Sequence, residues 1–190
     1  WPNPNSAACI FRVSSPFKNT SYISLTLMVQ IRLIEPSDDQ DLNKLIKRVL
    51  EEFKAPQTGT AYEDASLEQM FATYQSAKSA YFVLHDDKKI IGGGGIAPLR
   101  DYDEAYCELQ KMYFLPEARG RGLGQNMMSI CLEYARNQGF SFCYLETMDD
   151  MLHAQHLYQK MGFQYIDGAL GNTGHYSCGV HMLKRLDADL

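Results

Sequence analysis

Cysteine pairs at metal-ligand or redox spacing are missing from this chain. Its five cysteines (Cys9, Cys107, Cys131, Cys143 and Cys178) are odd in number, and none stands in a C-x-x-C arrangement. That argues against a disulfide framework or a zinc site and for a reducing, cytoplasmic setting. No apolar run approaches the ~18–20 residues of a membrane span, because Lys, Asp or Gly interrupts the longest stretches. An excess of positive charge is lacking too. The net charge is −5, so no global basic field recruits nucleic acid. H-E-x-x-H is absent, and His153 and His156 read as helix-surface histidines, so no metal is expected. Acidic residues are absent from Trp1 to Leu33, a trait of transit peptides, but only Arg12 and Lys18 are basic before Met28. Met28 directly precedes the first expected strand, which suits a natural start there. Residues 1–28 are therefore set aside as an extension outside the fold, and 29–187 as a single domain. The 190 residues, 45% hydrophobic and 22% charged, suffice for one globular core. Internal repeats are absent.

What the chain does have is Arg119-Gly120-Arg121-Gly122-Leu123-Gly124. Upstream, Cys107 to Leu115 reads as an extended apolar run closed by Pro116. Downstream, Leu123, Met127, Ile130, Cys131 and Tyr134 recur at helical spacing. A glycine-rich turn between a strand and a helix N-terminus is an anion site. The first helical N–H groups lack intrahelical partners, and the helix dipole adds partial positive charge. Glycines let a phosphate approach the backbone, and two arginines add charge and fork-shaped donors. The segment therefore suits a diphosphate. A P-loop would need Lys-Ser/Thr where Gln125-Asn126 stand, and a dinucleotide fingerprint would need G-x-G-x-x-G.

With Pro116 three residues before Arg119, the segment resembles the R/Q-x-x-G-x-G/A signature of the GNAT superfamily of N-acetyltransferases. Leu157-Tyr158-Gln159-Lys160-Met161-Gly162-Phe163 is similar to that family's L-Y-x-K-x-G-F box. The resemblance covers roughly Gln30 to Leu186. It implies a loop that binds the pyrophosphate of acetyl-coenzyme A through Arg119, Gly120, Arg121, Gly122, Leu123 and Gly124. It also implies that backbone groups of Met112, Tyr113 and Phe114 pair with the pantetheine arm as an added strand would. Such pairing requires the neighbouring strand, Phe142 to Thr147, to splay away.

The pattern along the chain has the same order. Gln30 to Glu35 is a first strand, and Ser37 with Gln40 forms a capping box for a helix carrying Leu42, Leu45, Ile46, Val49, Leu50 and Phe53. Ser66 with Gln69 repeats the signal before Leu67, Met70, Phe71 and Tyr74. Ala80 to Leu84 and Ile90 to Leu99 are strands joined by His85-Asp86-Asp87-Lys88. Gly92 to Gly95 inside the second mark either a twisted strand under a helix or room for a bound group. After Cys107–Leu115 and the glycine-loop helix, Gly139 suits a left-handed C-cap. Phe142 to Thr147 is a strand, Asp149 or Asp150 caps the next helix, and Gly162 ends it. Phe163 to Ile166 and Tyr176 to Leu183 close the sheet. The expected fold is α/β, a GNAT-type mixed central sheet with helices on both faces, in the order β-αα-βββ-α-β-α-ββ.

Acetyl transfer from a thioester to an amine needs a proton acceptor for the amine, a donor for the developing oxyanion and a proton for the departing thiolate. One cleft holding both substrates supplies proximity. By resemblance, Glu108 occupies the position of the base in the histone-acetylating branch, with water as the alternative relay. Burial beside Leu109 and Met112 would raise its pKa. Otherwise Glu108 is a sheet-edge partner of Lys111 or Arg100. Tyr158 occupies the position of the tyrosine that protonates the leaving thiolate, and otherwise is a core tyrosine. Met151 departs from the family's usual Asn, leaving one coenzyme contact missing or supplied by Gln155. Glu146, Tyr176, His175 and Tyr62 are candidate acceptor contacts. The implied function is an acetyl-CoA-dependent N-acetyltransferase, with acetyl-CoA as co-substrate and no metal. Its acceptor would be a small-molecule, peptide or protein amine, and the protein a monomer or homodimer. The alternatives are an acyl-CoA-binding module without catalysis and, less favoured, an ATP-binding protein.

Overall fold

The computed structural model describes residues 29–86 and 89–186, together with the backbone of Tyr22–Ile23. The rest of the N-terminal extension, with Met28, and the tip of the expected turn at Asp87-Lys88 lie outside the described residues. The strands are β1 (Tyr22–Ile23), β2 (Val29–Leu33), β3 (Ala80–Asp86), β4 (Ile90–Pro98), β5 (Tyr106–Phe114), β6 (Phe142–Thr147), β7 (Gln164–Tyr165) and β8 (Val180–Arg185). The helices are α1 (Asp39–Glu52), α2 (Met70–Thr73), α3 (Leu123–Asn137) and α4 (Leu152–Lys160). They build one sheet in the order β1-β2-β3-β4-β5-β6-β8-β7. Every pairing is antiparallel except β5 with β6. From β2 onward this is the expected α/β order, and the two residues of β1 add a short edge beside β2. Among the described residues, no helix is long and apolar enough to cross a membrane.

α1 forms because Leu42, Leu45, Ile46, Val49 and Leu50 fall on one stripe, and all five are buried. Its entry differs from the expected Ser37–Gln40 box. The capping box is Glu35–Asp38, one short turn earlier. Asp38 is buried and accepts from the Glu35 N–H at 2.8 Å and from both Arg32 guanidinium nitrogens at 2.6 and 2.9 Å. That bidentate partner fixes the carboxylate where Ser37 has nothing comparable to offer. The second expected helix shrinks to a 3-10 turn, Ala65–Glu68, and the four-residue α2. At α4 neither Asp149 nor Asp150 caps; the N-cap is Met151, with no side-chain cap bond. Gly139 and Gly162 end α3 and α4 as expected, at φ 83° and 87°.

Two irregularities in the sheet make the site. The first is a bulge in β5. Gly93 pairs with Tyr113 and Gly95 with Gln110, so β5 carries one residue more than β4 there. Lys111 absorbs it at φ 48°. The glycine run of β4 belongs to this bulge. A Cβ at Gly93 would stand 2.7 Å from Tyr81 Cε1, and one at Gly95 2.6 Å from Tyr81 Cδ2 and 2.8 Å from Tyr74 Cε1. The missing side chains let Tyr81 lie flat over β4, and its hydroxyl donates to the Lys111 carbonyl at 2.8 Å. Close packing by Tyr81 of the neighbouring strand β3, and by Tyr74 at the end of α2, therefore accounts for Gly93 and Gly95. The second irregularity is a splay. β5 and β6 pair only at Tyr106–Phe142, Cys107–Cys143 and Glu108–Tyr144. Beyond them β5 runs on to Phe114 without β6 beside it.

Candidate active site

α3 begins at Leu123, after Gly122 in the left-handed region at φ 75°, and no side chain caps it. The first amide of this turn to find a backbone acceptor is Asn126, which donates to Gly122 O at 3.1 Å. Among the described residues, the N–H groups of Gly120, Arg121, Gly122, Leu123, Gly124 and Gln125 have no acceptor. Six consecutive free amides at a helix N-terminus concentrate partial positive charge on one small concavity. A Cβ at Gly120 or Gly122 would meet nothing within 4 Å. The space before these amides is open to a ligand.

The two arginines serve this loop differently. Arg119 is committed: its Nη1 and Nη2 meet the Glu52 carboxylate at 2.6 and 2.9 Å, and its Nε donates to Phe114 O at 2.9 Å. Its guanidinium also covers the Phe53 ring at 5.1 Å. Arg119 thus ties the end of β5 to the end of α1 and sets the loop's entry. Arg121 is exposed and makes one bond, to Glu117 O at 3.1 Å, leaving most of its donors free.

The splay opens a cavity of ≈ 70 Å³ lined from α1, β5, β6, α4 and three loops. Glu108, Met112, Tyr113, Glu146 and Tyr158 all face it. Glu108 is 3% exposed. Burial pushes its carboxyl above the ordinary carboxylate range; Gln110, His175 and Lys111 oppose the shift, and Glu146 adds to it. Its partner is Gln110, whose Nε2 donates at 2.7 Å, while Tyr74 holds Gln110 through a 2.9 Å bond. Neither Lys111 nor Arg100 pairs with it: Lys111 binds Asp64 at 2.5 Å and Arg100 binds Asn172. Tyr158 is 8% exposed, and burial pushes its hydroxyl up to about 12. That hydroxyl has no hydrogen-bond partner among the described residues.

The far wall is a polar cluster joined across two loops. The Asp64 carboxylate, held down to about 2 by His175 and Lys111 against the opposing effect of burial, meets His175 Nε2 at 3.1 Å. The sign follows from that depression. The Asp64 contribution is present above its unfolded value near 4 and is lost as pH falls toward 2. Beside it, Ser177 N–H donates to Gly59 O and Ser177 Oγ to Thr58 O, each at 3.0 Å. The loop between β7 and β8 is thereby strapped to the connection between α1 and α2.

The sequence-named residues sort cleanly. Glu108, Tyr158, Met112 and Tyr113 converge on the cavity, as do Glu146 and His175. Phe114 packs over Gly92 and bonds Arg119 through its carbonyl. Tyr176 is 81% exposed and Tyr62 bonds Glu51 outside the cavity. Gln155 is not free to replace the Asn: its Nε2 holds Met148 O and Asp149 O, and its Oε1 takes Tyr165. Sequence reasoning missed Cys178 as a lining group and Asp64, which stands behind the wall and holds the lining residues Lys111 and His175. Asp64 lies 111 residues from His175, and no local periodicity signals such a pair.

Known proteins resemble this chain in sequence and fold. The model of the Acetyltransferase (GNAT) family matches residues 46–163. The uncharacterized N-acetyltransferase YjgM of Escherichia coli K12 is 40% identical over 157 residues, covering 82% of this chain and 94% of that protein. An acetyltransferase structure of the GNAT family from Staphylococcus aureus superposes with a TM-score of 0.72 at 19% identity, covering 83% of this chain and 99% of that one. yncA of Salmonella typhimurium, solved with its cofactor acetyl-CoA, superposes with a TM-score of 0.67 at 16% identity, covering 85% and 95%.

Proposed function

This chain belongs to the acetyltransferase (GNAT) family, and on that premise we propose that it moves an acetyl group from acetyl-CoA to a primary amine by direct attack in a ternary complex. The observation that carries the reading is the run of six free amides, Gly120 to Gln125, opening onto the splay between β5 and β6. A diphosphate suits the amides and Arg121, and an extended pantetheine arm suits the unpaired edge of β5 at Met112 to Phe114. Acetyl-CoA, bound there, supplies the activated acyl group. The carbonyl carbon loses its bond to sulfur and gains one to nitrogen.

The chain's own groups then handle protons and position. Glu108 takes the proton that the acceptor nitrogen must lose, and burial, which raises its pKa, makes it a stronger base than an ordinary glutamate. Tyr158, protonated at any working pH, gives a proton to the departing thiolate. A backbone N–H of the Met112–Phe114 segment meets the developing oxyanion. The Lys111 bulge and the Tyr81 bond behind it hold that segment in place. The acceptor is an amine of a small molecule, peptide or protein.

The loop is tested by Gly122→Val. The φ of 75° costs an L-residue about 1–2 kcal/mol, and the new side chain projects into the space a phosphate would fill. Initial-rate kinetics should show the KM for acetyl-CoA rising at least ~10-fold, about 1.4 kcal/mol or more, with kcat changed less. An unchanged KM would remove the loop from coenzyme binding.

A further inference from the structure

The cavity carries more acidic charge than its own cations balance. Glu108, Lys111, Glu146 and His175 line it from β5, β6 and the loop between β7 and β8, and Asp64 stands behind them, paired with Lys111 and His175. Asp64 is matched by Lys111 and His175. Glu108 and Glu146 have no charged group in direct contact, although His175 and Lys111 act on Glu108 from a distance. Glu108 receives only the Gln110 amide, and Glu146 only the hydroxyls of Tyr144 at 2.7 Å and Thr173 at 2.8 Å. Among the described residues neither carboxylate forms an ion pair. They are also close enough for Glu146 to raise the proton affinity of Glu108. Two mutually repelling carboxylates in a partly desolvated cavity are costly unless a cation joins them. The described residues hold no group of three or more His, Cys, Asp or Glu that could coordinate a metal ion. An ammonium, with its three donors, suits the pair.

Tyr158 adds a second, independent sign that this cavity is built for a ligand. Its side chain is buried and lines the same space, and its hydroxyl has no partner within the described chain and so opens into the cavity. We propose that Glu108 and Glu146 seat the acceptor as its ammonium ion, so that the substrates are cationic primary amines whose amine-bearing carbon carries no carboxylate. The inference rests on the acetyl-transfer reading above and names the substrate class within it. Glu146 sets specificity, and Glu108 both holds the ammonium and takes its proton. An α-carboxylate would sit about one peptide unit from two like charges, and the cavity's one buried ammonium, Lys111, is already neutralised by Asp64.

Matched acceptor pairs test this with the full chain and acetyl-CoA: pentylamine against norleucine, and phenethylamine against phenylalanine, read by thiol release. The amines should exceed their carboxylated counterparts in kcat/KM by at least ~10-fold, or about 1.4 kcal/mol. Glu146→Gln should raise the amine KM about 10-fold and shrink that discrimination, while leaving the calorimetric Kd for acetyl-CoA unchanged. Glu146→Asp, which keeps the charge, should stay near the parent protein and guards against a misfolded Gln variant. Amino acids matching or beating the amines overturn the inference, as does a Glu146→Gln variant whose amine KM and discrimination do not move. The transferase reading stands apart from those outcomes; it falls if the parent protein fails to bind acetyl-CoA in the same calorimetry or releases no thiol with any of these acceptors.

Discussion

Glu108→Gln should lower kcat/KM for an amine acceptor by about 100-fold or more, the range lost when a positioned general base is removed. The substitution is isosteric and Gln110 can still bond the new amide, so folding and acetyl-CoA binding should survive. The pH profile carries the sharper information. Burial holds the proton on Glu108 above the ordinary carboxylate range, so the basic form accumulates only as pH climbs through that raised value. The parent enzyme should therefore show a rising limb centred above the ordinary glutamate pKa. Glu108→Gln should lose that limb and keep only the amine's own titration at higher pH. A variant within a few-fold of the parent, with the same limb, would assign the proton to water instead.

The second large effect belongs to Tyr158. Tyr158→Phe should reduce kcat by about 100-fold while leaving the KM for acetyl-CoA nearly unchanged, because the lost interaction forms as the thiolate departs. Its hydroxyl has no partner inside the described chain, so its removal strands no buried group and should shift the melting temperature little. With the hydroxyl pushed up to about 12, the parent should show no alkaline fall from this residue below that pH. If Tyr158→Phe keeps full kcat, Tyr158 is packing against Phe163 and nothing more.

How much of this was legible in the sequence depends on how local each signal was. β6 was readable to its ends, Phe142 and Thr147, because an apolar run sits between Gly139 and the acidic turn at Asp149. The glycine loop and the α3 stripe were legible for the same reason: their chemistry is written within a few consecutive residues. Capping was less so. Ser37 and Ser66 looked like N-caps, yet Asp38 captured Arg32 across six positions and moved the first box back. The Gly92–Gly95 run posed a question that only tertiary packing could answer, since Tyr81 and Tyr74 come from outside β4.

The candidate site divides along the same line. Glu108 and Tyr158 were named through the family resemblance, one on the strand before the glycine loop and one in the Leu157–Phe163 box, and both line the cavity. The Arg119–Glu52 clamp spans 67 residues and the Asp64–His175 link 111. No periodicity or composition connects such partners. Both restrain a loop from a distance. That is why the sequence offered only separate candidates for the acceptor side, Glu146, Tyr176, His175 and Tyr62, whereas the juxtaposition of Glu108 and Glu146 emerges only once β5 and β6 stand side by side.

The central claim is that the amides from Gly120 to Gln125 hold the coenzyme's diphosphate. Hydrogen exchange of those six amides, measured with and without saturating acetyl-CoA, tests it most directly. The account predicts that exchange, fast in the free protein because no backbone acceptor is present, slows markedly across this run when the coenzyme binds. Acetyl-CoA that binds tightly while these amides exchange as fast as before, with protection gathered elsewhere, would contradict it.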